Sequence, residues 1–163
     1  MSGRIKIEID GARNNGDDGY GGALTVGTTI QLRYGSGSGS GQINRIYQSP
    51  NANLSIPVGA DLDLDLQTLA TAPDATLGAN SIRAVLVQAD SDNTVGITVK
   101  PGSVNPWLGT FLVGASQIGL GPGDFVAIGG ADFPVSGASK ILAFSHGGVA
   151  VQRVRVVLLA AAP

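Results

Sequence analysis

The sequence predicts an all-β fold, an antiparallel β-sandwich of jelly-roll type with long glycine-rich loops, and three observations carry that expectation. Helix-forming surface residues are scarce: Glu8 is the only glutamate, there are three lysines and one methionine, and 25 glycines interrupt any helical period. Apolar residues recur at every second position in many short stretches. Turn-forming clusters ("GSGSGSG", "SPN", "DSDN", "KPG", "GPGD", "HGG") sit between those stretches.

The elements follow in order. "RIKIEID" sets Ile5, Ile7 and Ile9 against Arg4, Lys6, Glu8 and Asp10, the pattern of a half-buried strand. "GARNNGDDGYGG" (11–22) reads as a loop of residues that tolerate positive φ. Strands are then expected at 23–34, 43–48, 52–58, 61–69, 81–90, 95–100, 109–114, 124–130, 140–145 and 151–160. "GSGSGSG" (35–41) is expected to be a flexible hairpin tip, with Arg33-Tyr34 and Ile43 beginning its two arms. Around "TLATAPDATLG" a short helical turn is expected, limited by Pro73 and Gly78. The whole, residues 1–163, is read as one β-sandwich domain in which 1–10 is an assembly strand.

Composition narrows the function classes. Net charge is -2 and the ten basic residues are dispersed, so nothing builds a phosphate-tracking stripe and nucleic acid is not an expected partner. There is no cysteine, which removes disulfides, thiolate metal sites and thiol nucleophiles. "MSGRIKIEID" lacks the apolar core of a signal peptide. The longest apolar run, "VVLLAAA" (156–162), is far short of the roughly 20 residues that cross a bilayer, so the expectation is a soluble protein with no membrane partner. Charged residues make up 13%, about half the usual share, while apolar residues reach 43%. That balance favours a surface covered in part by partners or by copies of itself.

Candidate chemistry is sparse. "DLDLDL" places Asp61, Asp63 and Asp65 on one strand face and Leu62, Leu64 and Leu66 on the other. Carboxylates one strand period apart, about 6–7 Å, do not share a calcium ion at 2.3–2.6 Å unless a bulge or neighbour gathers them. A solvated face is therefore preferred, with Asp61, Asp63 and Asp65 kept as metal candidates between subunits because stacked carboxylates need a counter-charge. Asn15, Asp17 and Asp18 form a second, Asx-turn-like acidic loop. His146, the only histidine, reads as a turn residue, and Asn53-Leu54-Ser55 as an inert glycosylation pattern. Trp107 is either a stacking platform or a packed core or interface residue. No enzyme signature and no cofactor motif is present, and the partner-binding candidates are Ile5, Ile7, Ile9 and Trp107.

From about Asp61 onward the succession "DLDLDL", "SIRAVLVQADSDN", "GITVKPGSVNPW", "IGLGPGDFVAIGG" and "KILAFSHGGVAVQRVRVVLLA" resembles short β-rich virion structural proteins of tailed bacteriophages. The resemblance is one of pattern over roughly the last two thirds of the chain. It implies a capsid cement or decoration protein on the virion surface, commonly a homotrimer, that bridges subunits of the major capsid protein. It implies no catalytic residues. The alternative is a carbohydrate- or receptor-binding β-module of a tail or fibre, with Trp107 and the Asp-rich loops as its site.

Overall fold

The computed structural model describes residues 3–14, 23–40, 42–49, 53–71, 75–108, 112 and 116–163, with backbone and pairing alone for 3–14 and 23–34. Two antiparallel sheets face each other across one apolar core. The first has the order β11 (Ile118–Leu120), β10 (Ile97–Pro101), β13 (Ile141–His146), β6 (Leu62–Asp65). The second runs β12 (Phe125–Pro134), β9 (Ser81–Ala89), β14 (Gln152–Ala161), β4 (Arg45–Gln48), with β5 (Leu54–Ile56) also on β14.

Alternation explains which residues meet between the sheets. Leu64, Ile97, Val99, Leu120, Leu142 and Phe144 come from the first sheet, and Tyr47, Ile56, Val85, Val87, Val154, Val156 and Leu158 from the second. Each is at most 6% exposed. Burying a side chain of this size contributes about 1.5–3 kcal/mol, which is what drives the two faces together.

β14 is the centre of the second sheet. It pairs with β9 along one edge and with β5 and then β4 along the other. Two asparagine side chains lengthen its ladder as strand backbone would. Asn93 Nδ2 donates to the Arg153 carbonyl (2.9 Å) while Arg153 N donates to Asn93 Oδ1 (2.7 Å). Asn44 does the same with Ala162, at 2.9 and 2.8 Å.

β1 (Gly3–Asn14) and β2 (Ala23–Ser36) form a long antiparallel hairpin whose register runs unbroken from Gly3↔Tyr34 to Asn14↔Ala23. At about 3.4 Å per residue its twelve paired positions span about 40 Å. β3 (Gln42–Ile43) continues this sheet, and its pairing with β2 is parallel, Gly35↔Gln42 and Ser36↔Ile43. Ile43 packs with Ala84, Leu86 and Leu159 on the outer side of the second sheet.

Three expectations change here. Residues 35–41 are not the tip of an antiparallel hairpin, because β2 and β3 run the same way and the turn between them is closed by Gly37 N to Ile43 O (3.0 Å) and Gln42 N to Gly39 O (3.1 Å). Of the segment expected to hold a short helical turn, residues 70–71 and 75–76 pair instead as a two-residue ladder, β7 (Ala70–Thr71) on β8 (Ala75–Thr76), while Pro73 lies outside the described residues. β6 stops at Asp65, and residues 66–68 turn away because Asp65 Oδ1 accepts Gln67 N (2.9 Å) and Thr68 N (3.3 Å). The expected strand at 109–114 lies, apart from the buried Leu112, outside the described residues, as does the acidic loop with Asn15, Asp17 and Asp18.

Candidate functional site

The acidic stripe is the wet side of an edge strand. Asp63 sits opposite Ala143 and Asp65 opposite Ile141 on β13, while Leu64 is buried. The counter-charges come from within the chain: Lys100 Nζ lies 2.8 Å from Asp61 and Lys140 Nζ 2.7 Å from Asp65. With those lysines in place, stacking of Asp61, Asp63 and Asp65 calls for no ion, and three carboxylates on an edge keep other strands from adding to it. Among the described residues no three His, Cys, Asp or Glu side chains come together as a metal site.

Trp107 does not lie at a surface. It is fully buried, its Nε1 donates to the Pro134 carbonyl (3.1 Å), and its ring meets Phe133 edge-on at 6.1 Å between centroids. This corrects its candidacy as a partner-binding or stacking residue: its size has been spent on the core. His146 is likewise structural. Gly148 N donates to Nδ1 (3.1 Å), so Nε2 carries the proton and donates to the Ile56 carbonyl (3.1 Å), tying the end of β13 to β5.

A residue passed over in the sequence holds one end of the sandwich. Gln152 is 1% exposed, and its Oε1 accepts Thr94 N (2.8 Å) and Val95 N (3.3 Å) while its Nε2 donates to Ala150 O (2.7 Å) and Thr94 Oγ1 (3.1 Å). Every polar valence of the amide is used. Nearby, Val58, Val149 and Val151 are exposed on loops that leave the sheet where Ile56 pairs with Gln152.

The hairpin's anchor is Arg83. In β9, Ala84 pairs with Leu159 and Ile82 with Ala160, so Arg83 is the extra residue of a β-bulge. The bulge takes its side chain out of the alternation and delivers the guanidinium, 4% exposed, to the loop below the hairpin. There Nε donates to Gln42 O (3.2 Å), Nη2 to Gly39 O (3.0 Å), and Nη1 pairs with Asp132. Gly37, at φ +133°, admits no Cβ without meeting the Gln42 side chain. The glycine-serine segment is therefore a fitted junction between arm and body. Arg83→Met is expected to remove about 1–3 kcal/mol for each carbonyl left without its donor. Chemical denaturation should show the loss, and amide exchange at Gly37 and Gln42 should accelerate with it; unchanged exchange would count against the anchor.

Comparison with protein-family models, curated proteins and solved structures finds no match. Two shallow depressions of about 160 and 210 Å³ flank Asp90, lined in part by Ser55, Asn93 and Arg153 on one side and by Asn53, Gln88 and Arg155 on the other. Asp90 itself is engaged, accepting Asp92 N (3.0 Å) and Asn53 Nδ2 (2.6 Å).

Those contacts have a pH consequence. Hydrogen bonds from Asp92 N and Asn53 hold the Asp90 carboxyl below its usual value, helped by Arg153 and Arg155. At Asp65 burial pushes upward, but bonds from Lys140, Gln67 N and Thr68 N together outweigh it and the net shift is down. A lowered folded-state pKa adds stability that is present at neutral pH and is lost as pH falls below about 4, through the folded value. Asp65→Asn/Asp90→Asn should thus melt below the wild type at pH 7, with the gap closing on acidification; a gap that stays constant down to pH 2 would contradict the assignment.

Proposed function

We propose that this chain is a non-enzymatic virion structural protein, a capsid cement or decoration protein of a tailed bacteriophage, which self-associates, as a homotrimer, on the capsid surface and bridges subunits of the major capsid protein. The observation that carries the reading is the β1–β2 hairpin. A two-stranded ribbon of twelve paired positions has β1 at its edge among the described residues, and such an edge can offer backbone groups to another chain. The pattern of residues 61–163, which resembles such virion proteins, supports the same reading, and so does the expenditure of His146, Asp61, Asp65 and Trp107 on internal contacts.

The mechanism is linkage. A protein that binds the assembled lattice and not its separated subunits lowers the free energy of the lattice, so the shell breaks at a higher temperature or internal pressure. Apolar burial across the interfaces supplies the affinity, supplemented by strand pairing between copies. The alternative, a glycan- or receptor-binding module with Trp107 in its site, loses support because that tryptophan is enclosed. The test is to heat virions with and without the protein and follow genome release. Particles lacking it should open at a lower temperature, and re-addition should restore the difference; identical profiles would overturn the proposal.

A further inference from the structure

We infer that β1 pairs with β1 of a second copy of this chain, antiparallel and centred on Ile7, joining two hairpins into one four-stranded sheet across a two-fold axis. β1 lies at the edge of its sheet. Its sequence is self-complementary in one register only. Antiparallel pairing centred on Ile7 sets position 4 opposite 10, 6 opposite 8 and 5 opposite 9. Arg4 then faces Asp10, Lys6 faces Glu8, and isoleucine faces isoleucine.

Neighbouring registers fail. A slip of two residues in one direction keeps Arg4 opposite Glu8 but places Lys6 opposite Lys6, and in the other keeps Lys6 opposite Asp10 but places Glu8 opposite Glu8, so each has half the opposite-charge pairs and adds a like-charge one. A slip of one residue sets isoleucines against charges and reverses the faces. Parallel in-register pairing stacks each charge on its own kind. The acidic edge strand β6 repels any copy of itself, whereas β1 carries the charge pattern that admits one.

The register within the hairpin adds a second argument. Arg4 lies opposite Arg33, a like-charge pair that costs stability in an isolated ribbon. Pairing with a second copy places Asp10 across from Arg4 on the edge away from Arg33, an opposite charge on that side. Lys6 and Glu8 lie in register with the uncharged Gln31 and Thr29, so within the hairpin register neither faces a charge. On the other face Ile5, Ile7 and Ile9 lie in register with Leu32, Ile30 and Thr28, and the two-fold makes this apolar band continuous across both hairpins.

The two-fold pairing is a contact distinct from the three-fold one of the proposed trimer, joining a copy in one trimer to a copy in the next; it is a property of the chain in solution and stands apart from the capsid reading, which only the virion experiment addresses. Because the chain has no cysteine, single cysteines report the register without background. Oxidised with diamide, Ile7→Cys should give a covalent dimer, since directly opposed strand positions lie within disulfide reach. Ile5→Cys and Ile9→Cys alone should cross-link at least ten-fold less, and a mixture of the two should recover the dimer. Light scattering on a dilution series supplies the charge test. Lys6→Glu and Glu8→Lys should each halve the mass of the associated species, and the double swap should restore it. A wild type that never exceeds the mass of its variants, no Ile7→Cys dimer, cross-linking indifferent to position, or a double swap that stays dissociated would each overturn the inference.

Discussion

Trp107→Ala should cost about 3–5 kcal/mol of unfolding free energy, the range for truncating a large aromatic in a packed core. The ring is fully enclosed, so its removal leaves a void that neighbouring strands cannot close. It also strands the Pro134 carbonyl that Nε1 now satisfies and takes away the edge-on contact with Phe133. Urea denaturation with an unchanged m-value should report the loss. A cost below about 1 kcal/mol, as for surface substitutions, would return Trp107 to the surface and revive the receptor-binding alternative.

Gln152→Leu is expected to be nearly as damaging although it preserves side-chain volume. Leucine adds no cavity, so the whole effect comes from polar groups. Thr94 N, Val95 N and Ala150 O lose their partner in a place where the side chain is 1% exposed. Each orphaned group costs about 1–3 kcal/mol where water cannot reach it. The damage should be local as well as global, with faster hydrogen exchange at Thr94 and Val95 before the rest of the sheet. Wild-type exchange at those two amides would show that water replaces the glutamine without loss.

The two substitutions also mark how far the sequence could be read. Strands were legible where one face is buried, because period-two alternation in "DLDLDL" and "VQRVRVVLL" follows directly from the pleat, and "RIKIEID" shows the same alternation within β1. Pairing between distant strands was not. Nothing local in "VQRVRVVLL" states that it lies between β9 and β4, since that choice is made by the shape of the whole core. Side chains that act as backbone (Asn44, Asn93, Gln152) were read as loop or strand polars, and their roles depend on backbone N–H and C=O groups 58 to 118 residues away. Arg83 did carry a signal: a charge inside "SIRAVLV" is out of place on a buried strand, and the bulge is the device that resolves it. The glycine-serine segment misled because composition suggests a flexible coil, whereas three fixed points (Arg83, Gln42 and Ile43) give it one shape. For the site candidates, the alternation of "DLDLDL" follows from the pleat, but its lysine partners, Lys100 on β10 and Lys140 just before β13, are distant in sequence from it.

The central place of β14 orders events during synthesis. The second sheet cannot close until residues 152–161 have been made, because β9, β4 and β5 all await them. The hairpin needs only the chain up to Ser36, and its contacts are local. Hairpins form in about 1–10 μs, while a ribosome adds about 5–20 residues per second, so the arm is complete on the order of ten seconds before its own body. On a crowded polysome, neighbouring nascent chains would therefore display finished arms while their sandwiches are still unfolded, and the cell has a window in which copies can find one another before either has a core.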